Sequence, residues 1–223
     1  MNNLENMLLR YTRKFNYFRE LSGDDKEMLS SVGIDASALS ERIYSIECLC
    51  FNKVRHGIGT VNINGGIEFI NLRNMKCPVT LRRYGITVIP AFRKRQSVNC
   101  CLFYSIVDYM AFMTLQQCCS VELPKDCDSI ILNSPNNIIS MIVESEDYNK
   151  SYAFFHNDNI GNTLVKTLEH RNPGNVVNCG HIYKSFKSLM DFHRHLLRKS
   201  KKKDGIHNST GSTDNCLDSG DCL

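Results

Sequence analysis

Residues 151–161 read SYAFFHNDNIG, and the fold turns on how that stretch is read. The apolar run Tyr152, Ala153, Phe154, Phe155 passes straight into His156, Asn157, Asp158 and Asn159. Ile160 and Gly161 then open a helical pattern. A short apolar run closed by polar residues and followed by a helix is the strand-loop-helix corner of a parallel α/β sheet. Ligands of such sheets sit beyond the carboxyl ends of the strands, which is where His156, Asn157 and Asp158 would stand.

The same corner occurs upstream. Residues 100–104, CCLFY, are apolar, and Ser105 and Asp108 lead into the helical run Met110 to Leu115. Across residues 99–198 the alternation repeats four times. Strands are expected near 100–104, 129–132, 152–155 and 175–178, and helices near 106–117, 137–145, 161–171 and 184–198. Apolar strands without alternation, separated by helix-length patterns, imply a parallel sheet covered on both faces. The expected fold is therefore α/β, a four-stranded parallel Rossmann-like sheet with helices on both faces.

Residues 46–98 differ. Residues 57–63 and 66–72 flank Asn64-Gly65-Gly66, a hairpin signal in which Asn-Gly supplies two positive φ angles. Residues 86–89 form another short strand stopped by Pro90. This is read as a small, mostly antiparallel β region. Residues 1–45 read as a helical lead-in. Leu4, Met7, Leu8 and Tyr11 share a face that Phe15 and Phe18 continue, and Asp24 or Asp25 caps a further short helix. Residues 199–223 read as a basic segment and a disordered tail. Arg198 to Lys203, RKSKKK, suits a helix C-terminus, and the rest is rich in Gly, Ser, Thr, Asn and Asp.

Composition sets the bounds. The 223 residues suffice for a sizeable core, and 42% hydrophobic with 22% charged residues is ordinary for a globular protein. A formal charge of +4 permits contact with nucleic acid without arguing for it. No run of about eighteen apolar residues occurs, and the N-terminus lacks a signal-peptide core, so a cytoplasmic protein is expected. The eleven cysteines are odd in number and lack paired zinc-site spacing. They read as buried reduced thiols.

At the two corners the chain resembles the toprim domains of bacterial primases and topoisomerases, most of all the primase-type toprim proteins of bacterial mobile elements. That pattern is a strand ending in Glu-Gly with an Asp three residues after the Gly, then a strand ending in Asp-x-Asp and a Gly. Tyr104 falls on the Glu, Ser105 on the Gly and Asp108 on the Asp. His156 and Asp158 fall on the two aspartates, and Gly161 keeps the glycine. Residues 63–76, INGGIEFINLRNMK, are similar to a Gly-Gly-aromatic-Glu-Leu-Arg-Asn segment upstream of the domain. Ile131 to Ser134 resemble an apolar-Asn-Ser signature. The next acidic position falls on Asn178. Tyr183 and Lys187 match a Tyr and the Lys of a Lys-Asp-x-Asn motif whose Asp and Asn are replaced here by Ser188 and Met190.

The resemblance implies a carboxylate site for Mg²⁺, a hard cation that takes oxygen ligands and serves phosphoryl transfer. Here Tyr104, His156 and Asn178 stand at degenerate positions. A phenol is a poor magnesium ligand and imidazole suits softer metals. Only Asp108 and Asp158 are left for a weak Mg²⁺ or Mn²⁺ site. Arg93, Lys94, Arg95 and Lys187 are the candidate nucleic-acid contacts, the first three also reading as a solvated basic turn. Asp158 reads equally as a helix N-cap, and His193 as packed.

Three functions follow. The first is a primase-related protein acting in DNA replication or transfer by binding DNA, RNA or a replication or mobilisation protein, with a degenerate metal site and no membrane. The second is an active metal-dependent primase or nuclease using Asp108, His156 and Asp158. The third is an α/β protein that binds a small ligand near Tyr104, Asn133 and His156, without a phosphate-cradling glycine loop to support it.

Overall fold

The computed structural model describes residues 15–17, 20–50, 53–71, 78–91, 95–118 and 121–207. Among the described residues ten strands form two five-stranded sheets. The first holds β1 (Phe15–Tyr17), β2 (Tyr44–Cys50), β3 (Lys53–Val61), β4 (Ile67–Ile70) and β5 (Val79–Leu81) in sequence order, all antiparallel. The second comprises β6 (Thr87–Ile89), β7 (Asn99–Phe103), β8 (Asp128–Ile131), β9 (Lys150–Phe154) and β10 (Val176–Asn178). Its order is β10-β9-β7-β8-β6. The helices are α1 (Gly23–Ser31), α2 (Ile106–Cys118), α3 (Ile138–Ser145), α4 (Asn159–Arg171) and α5 (Leu189–His207).

The second sheet holds the four expected parallel strands and adds a fifth that the sequence pattern assigns to the antiparallel region. β7 pairs parallel with β8 and β9, and β9 with β10, but β6 lies antiparallel on the outer edge of β8. The sheet is mixed. β6 covers a row of backbone donors and acceptors that would otherwise stand open as a sheet edge. Pro90 ends it, as an edge strand allows.

Strand parity divides the core. Cys101 and Phe103 point to one face of the second sheet, where they pack with Tyr109, Phe112 and Leu115 of α2 and Leu189 and Met190 of α5. Cys100 and Leu102 point to the other face, against Met141 and Ile142 of α3 and Leu164 and Leu168 of α4. Both faces are buried, which is why these strands carry apolar runs without alternation. Phe103, Phe112 and Phe154 pack against one another, with ring centroids 5.0–5.5 Å apart. The first cluster also takes in Leu29, Ile34, Ile58 and Ile70, so one core runs from α1 and the first sheet into the α/β layers. His193 ties them further: its Nε2 donates to the Gly33 carbonyl at 2.7 Å, and the ring is 2% exposed.

Residues 15–17 are a strand and not the continuation of a helix. Their backbone pairs with β2, Phe15 opposite Cys48, and long-range pairing outweighs a local apolar period. Residues 1–14, the first part of the expected helical lead-in, lie outside the described residues. The cap of α1 is Ser22, whose Oγ accepts from Asp25 N–H at 3.1 Å, and not Asp24 or Asp25. The turn at Asn64-Gly65 is not a two-residue hairpin. It spans residues 62–66, Gly65 alone takes positive φ at 72°, and Asn62 Oδ1 accepts from Asn64 N–H and Gly66 N–H. α5 starts at Leu189, later than its apolar stripe suggested, because residues 184–188 form a turn and bends that follow the 3₁₀ turn Gly180–Tyr183. The described cysteines 48, 100, 101, 118, 127 and 179 are free thiols, four of them buried.

Two buried carboxylates hold the chain together. Asp128 accepts from Ala91 N–H, Ser97 N–H, Ser97 Oγ and Tyr148 Oη at 2.8–3.2 Å. It anchors both ends of the basic turn. Glu68 on β4 takes hydrogen bonds from Asn62 Nδ2 at 2.9 Å and Thr80 Oγ1 at 2.7 Å, and is 1% exposed. Burial outweighs these two donors and pushes its carboxyl up to about 7. A raised folded pKa means that the stability tied to the protonated form is complete below the unfolded value of 4.5 and is lost as pH rises through about 7. Glu68→Gln is therefore expected to gain about 3 kcal/mol at pH 8 and almost nothing at pH 4.5. Urea unfolding of both proteins at the two pH values checks this.

Candidate functional site

The site is built by the two corners read from the sequence. β7 ends at Phe103, and Ser105 starts α2. Its Oγ accepts from Asp108 N–H at 3.4 Å and donates to Asp108 Oδ2 at 2.8 Å, so hydroxyl and carboxylate cap the turn together. β9 ends at Phe154, and Asp158 caps α4 by accepting from Gly161 N–H at 2.9 Å. Because β7 and β9 are adjacent and parallel, Phe103 opposite Phe154, the residues just beyond them meet. Tyr104 and His156 stack with centroids 4.1 Å apart and planes at 23°. His156 Nε2 lies 3.2 Å from Asp108 Oδ2.

A cleft of about 400 Å³ opens over this pair. Tyr104, Asp108 and His156 form part of its wall, with Lys187 from the loop before α5 and Asp191 and Arg194 from α5 itself. Asp108 is 1% exposed, and its Oδ1 accepts from Met190 N–H at 3.3 Å. Lys187 Nζ stands 3.2 Å from Asp158 Oδ2. The Gly161 N–H first, and Lys187 after it, hold the Asp158 carboxyl below its usual range. Burial first, and then the charges of Asp158 and Asp108, push the Tyr104 phenol up.

Of the residues singled out from the sequence, Tyr104, Asp108, His156 and Lys187 come together here, with Asp158 paired to Lys187. Asn178 does not line the cleft; its Oδ1 accepts from Gly180 N–H at 2.9 Å. Asn133, with φ of 63°, turns away and donates to Gly85 O and Thr87 Oγ1 at 2.9 and 3.0 Å. It fastens β6 to β8 instead of lining a ligand site with Tyr104 and His156. Arg95 precedes β7, at the amino end of the strands, while the cleft lies at their carboxyl ends. Arg93 and Lys94 lie outside the described residues. Tyr183 is structural: its buried hydroxyl donates to Phe155 O at 2.7 Å. The sequence reading overlooked Arg194. It stands seven residues after Lys187, but Lys187 lies in the loop before α5, so no helical period links the two and no local signal marked Arg194.

No protein-family model matches the chain, and no curated protein matches it. Solved structures do. One is the primase fragment of the bacteriophage T7 primase-helicase protein, at a TM-score of 0.53 and 11% identity, covering 84% of this chain and 74% of that one. The fold is primase-like. Another match is a complex of the bacteriophage T7 lagging-strand DNA polymerase with primase domains bound to an RNA/DNA hybrid and dTTP. There the TM-score is 0.40 at 13% identity, with 81% of this chain and 95% of that one covered. At such identities the likeness is one of fold.

The residues of this primase-like corner do not fit a magnesium ion. Both oxygens of Asp108 are engaged, one by Met190 N–H and the other by Ser105 and His156. Both oxygens of Asp158 are engaged as well, by Gly161 N–H and Lys187. A hard cation wants free carboxylate oxygens, and a phenol stacked on an imidazole offers none. Among the described residues no group of three His, Cys, Asp or Glu side chains could hold a metal ion. No helix of the described residues is long and apolar enough to cross a membrane.

Proposed function

We propose that this chain is a toprim-like, primase-related protein of a bacterial mobile element. It acts in the cytoplasm, in DNA replication or transfer, by binding nucleic acid or a replication partner, and its metal site is degenerate. The observation that carries this reading is the Tyr104–His156 stack over a fully hydrogen-bonded Asp108. Two positions that the resemblance assigns to carboxylates hold a phenol and an imidazole instead. The remaining acids serve as an anchor for α5 and a cap for α4. The primase-like fold supports the placement in replication, and the bacteriophage T7 neighbour carries that fold in a primase-helicase.

The test is a calorimetric titration of the full chain with Mg²⁺ and then Mn²⁺ at near-physiological salt. No saturable uptake is expected below about 1 mM, because each carboxylate would have to give up its present partners to serve as a ligand. Sub-millimolar binding that disappears in Asp158→Ala would overturn the degenerate-site reading and bring back the active primase or nuclease.

A further inference from the structure

The stack that replaces the carboxylates has a shape of its own. Tyr104 and His156 are near-parallel rings on adjacent strand ends, both half-buried and both lining the cleft. Tyr104 is braced from behind by Phe155, edge-on at 6.3 Å, and His156 is fixed by Asp108. The opening, at about 400 Å³, falls in the range of ligand pockets and admits a flat ring. Val107 and Met190 add apolar wall beside the rings.

Positive charge leads away from this opening along one helix face. Arg194 lines the cleft, where it makes a loose ion pair with Asp191 at 3.7 Å, longer than a hydrogen bond. An arginine carries five donors in a planar fork. Arg198 follows one turn, about 6 Å, farther along α5, and is exposed. Lys187, with its side chain 64% exposed, stands on the near side of the cleft. A flat aromatic platform with cations strung out from it is the arrangement that takes an unpaired base and its neighbouring phosphates. Duplex bases are already stacked on one another and cannot enter.

From this geometry we infer that the cleft holds one unpaired nucleobase of a single-stranded nucleic acid against the Tyr104–His156 stack. The adjoining phosphates run past Arg194 and Arg198 along α5. This inference rests on the nucleic-acid arm of the proposed function and gives it a site and a strand state. Stacking takes any base, so little sequence preference is expected.

The experiment uses the full chain and a 5′-fluorescein oligothymidylate carrying one central 2-aminopurine. Anisotropy reports binding, and 2-aminopurine emission reports stacking. Wild type and Tyr104→Phe are expected to bind and to quench the 2-aminopurine. Tyr104→Ala is expected to lose the quench and about tenfold in affinity. Arg198→Gln, an exposed change that leaves the core alone, is expected to keep the quench. It should lower the slope of log K against log salt by about 0.7, the value for one single-strand phosphate contact. An oligouridylate arm separates DNA from RNA, and binding of either single strand supports the inference. Binding without a quench, unchanged in Tyr104→Ala and Arg198→Gln, would place the nucleic acid elsewhere and overturn this inference while leaving nucleic-acid binding intact. Preference for duplex over single strand would overturn it too. Absence of binding to any oligonucleotide at 50 mM salt would remove the nucleic-acid arm itself and leave a protein partner as the reading.

Discussion

Asn157→Asp is expected to lower stability by about 3 kcal/mol at pH 7, more than Asn157→Ala does. Asn157 follows His156 directly, and its Nδ2 donates to three main-chain carbonyls: Gly180 at 3.2 Å, Tyr183 at 3.0 Å and Phe186 at 3.0 Å. Its own N–H donates to Lys187 O at 2.8 Å. One side chain therefore gathers the whole connection between β10 and α5 onto the end of β9, and with it the entry of α5 beside the cleft. Alanine leaves those carbonyls short of donors. Aspartate sets a negative charge against three oxygens that already carry partial negative charge. The carbonyls would raise the folded pKa of the new carboxyl above the ordinary value near 3.9. The sign follows: the deficit is smallest below the unfolded value near 3.9, where the acid is mostly protonated and still supplies one donor, and grows as pH rises through the folded pKa. Urea unfolding of wild type, Asn157→Ala and Asn157→Asp at pH 3.5 and pH 7 checks it. Equal losses for Asn157→Asp at the two pH values would show that the amide donors do not govern this loop.

Gly161→Ala is expected to destabilise the protein by about 3 kcal/mol, although Ala is ordinarily the better helix former. The reason is space. A Cβ at this position would meet the His156 carbonyl oxygen at 2.0 Å and the His156 carbonyl carbon at 2.9 Å. These are backbone atoms of the corner itself, so relief needs the strand end or the first turn of α4 to move. Moving the turn also strains the Asp158 cap, which uses the Gly161 N–H. Gly23→Ala is the control. It lies in the first turn of α1 with nothing within 4 Å of the added carbon, and a change near zero or slightly stabilising is expected there. Thermal melts of both variants separate local crowding from a general effect of replacing glycine. The loss in Gly161→Ala is expected to be accompanied by a weaker Tyr104–His156 contact, since His156 supplies the oxygen that must yield.

The two corners were legible in residues 100–108 and 151–161 because the information there is local. A strand that is buried on both faces must be apolar throughout, and a helix needs a capping side chain at its start. Ser105 and Asp158 supply the caps. Parallel neighbours then bring their carboxyl ends to one edge, so the sequence places Tyr104, Asp108 and His156 together. That Tyr104 and His156 stand at those strand ends was legible for the same reason; that the oxygens of Asp108 and Asp158 are engaged by Met190 N–H and Lys187 was not, because those partners come from a distant segment.

The remainder depended on contacts between distant segments. β6 has the same apolar character as the strands before it, and nothing local tells it to leave the first sheet. It joins the second because the outer edge of β8 needs a partner, with Asn133 fastening the two. Phe15–Tyr17 keeps a helical apolar period and is a strand because β2 offers an edge to pair with. Arg194 belongs to the cleft because Asn157 holds the loop before α5 and Asp108 accepts from the backbone of Met190. The sequence alone therefore decided the strand-helix corners of the α/β layers and what chemistry stands at their strand ends. Tertiary structure decided which edges pair, which donors are used up and where the cations face, because those outcomes are set by hydrogen-bond satisfaction across the fold and not by any local period.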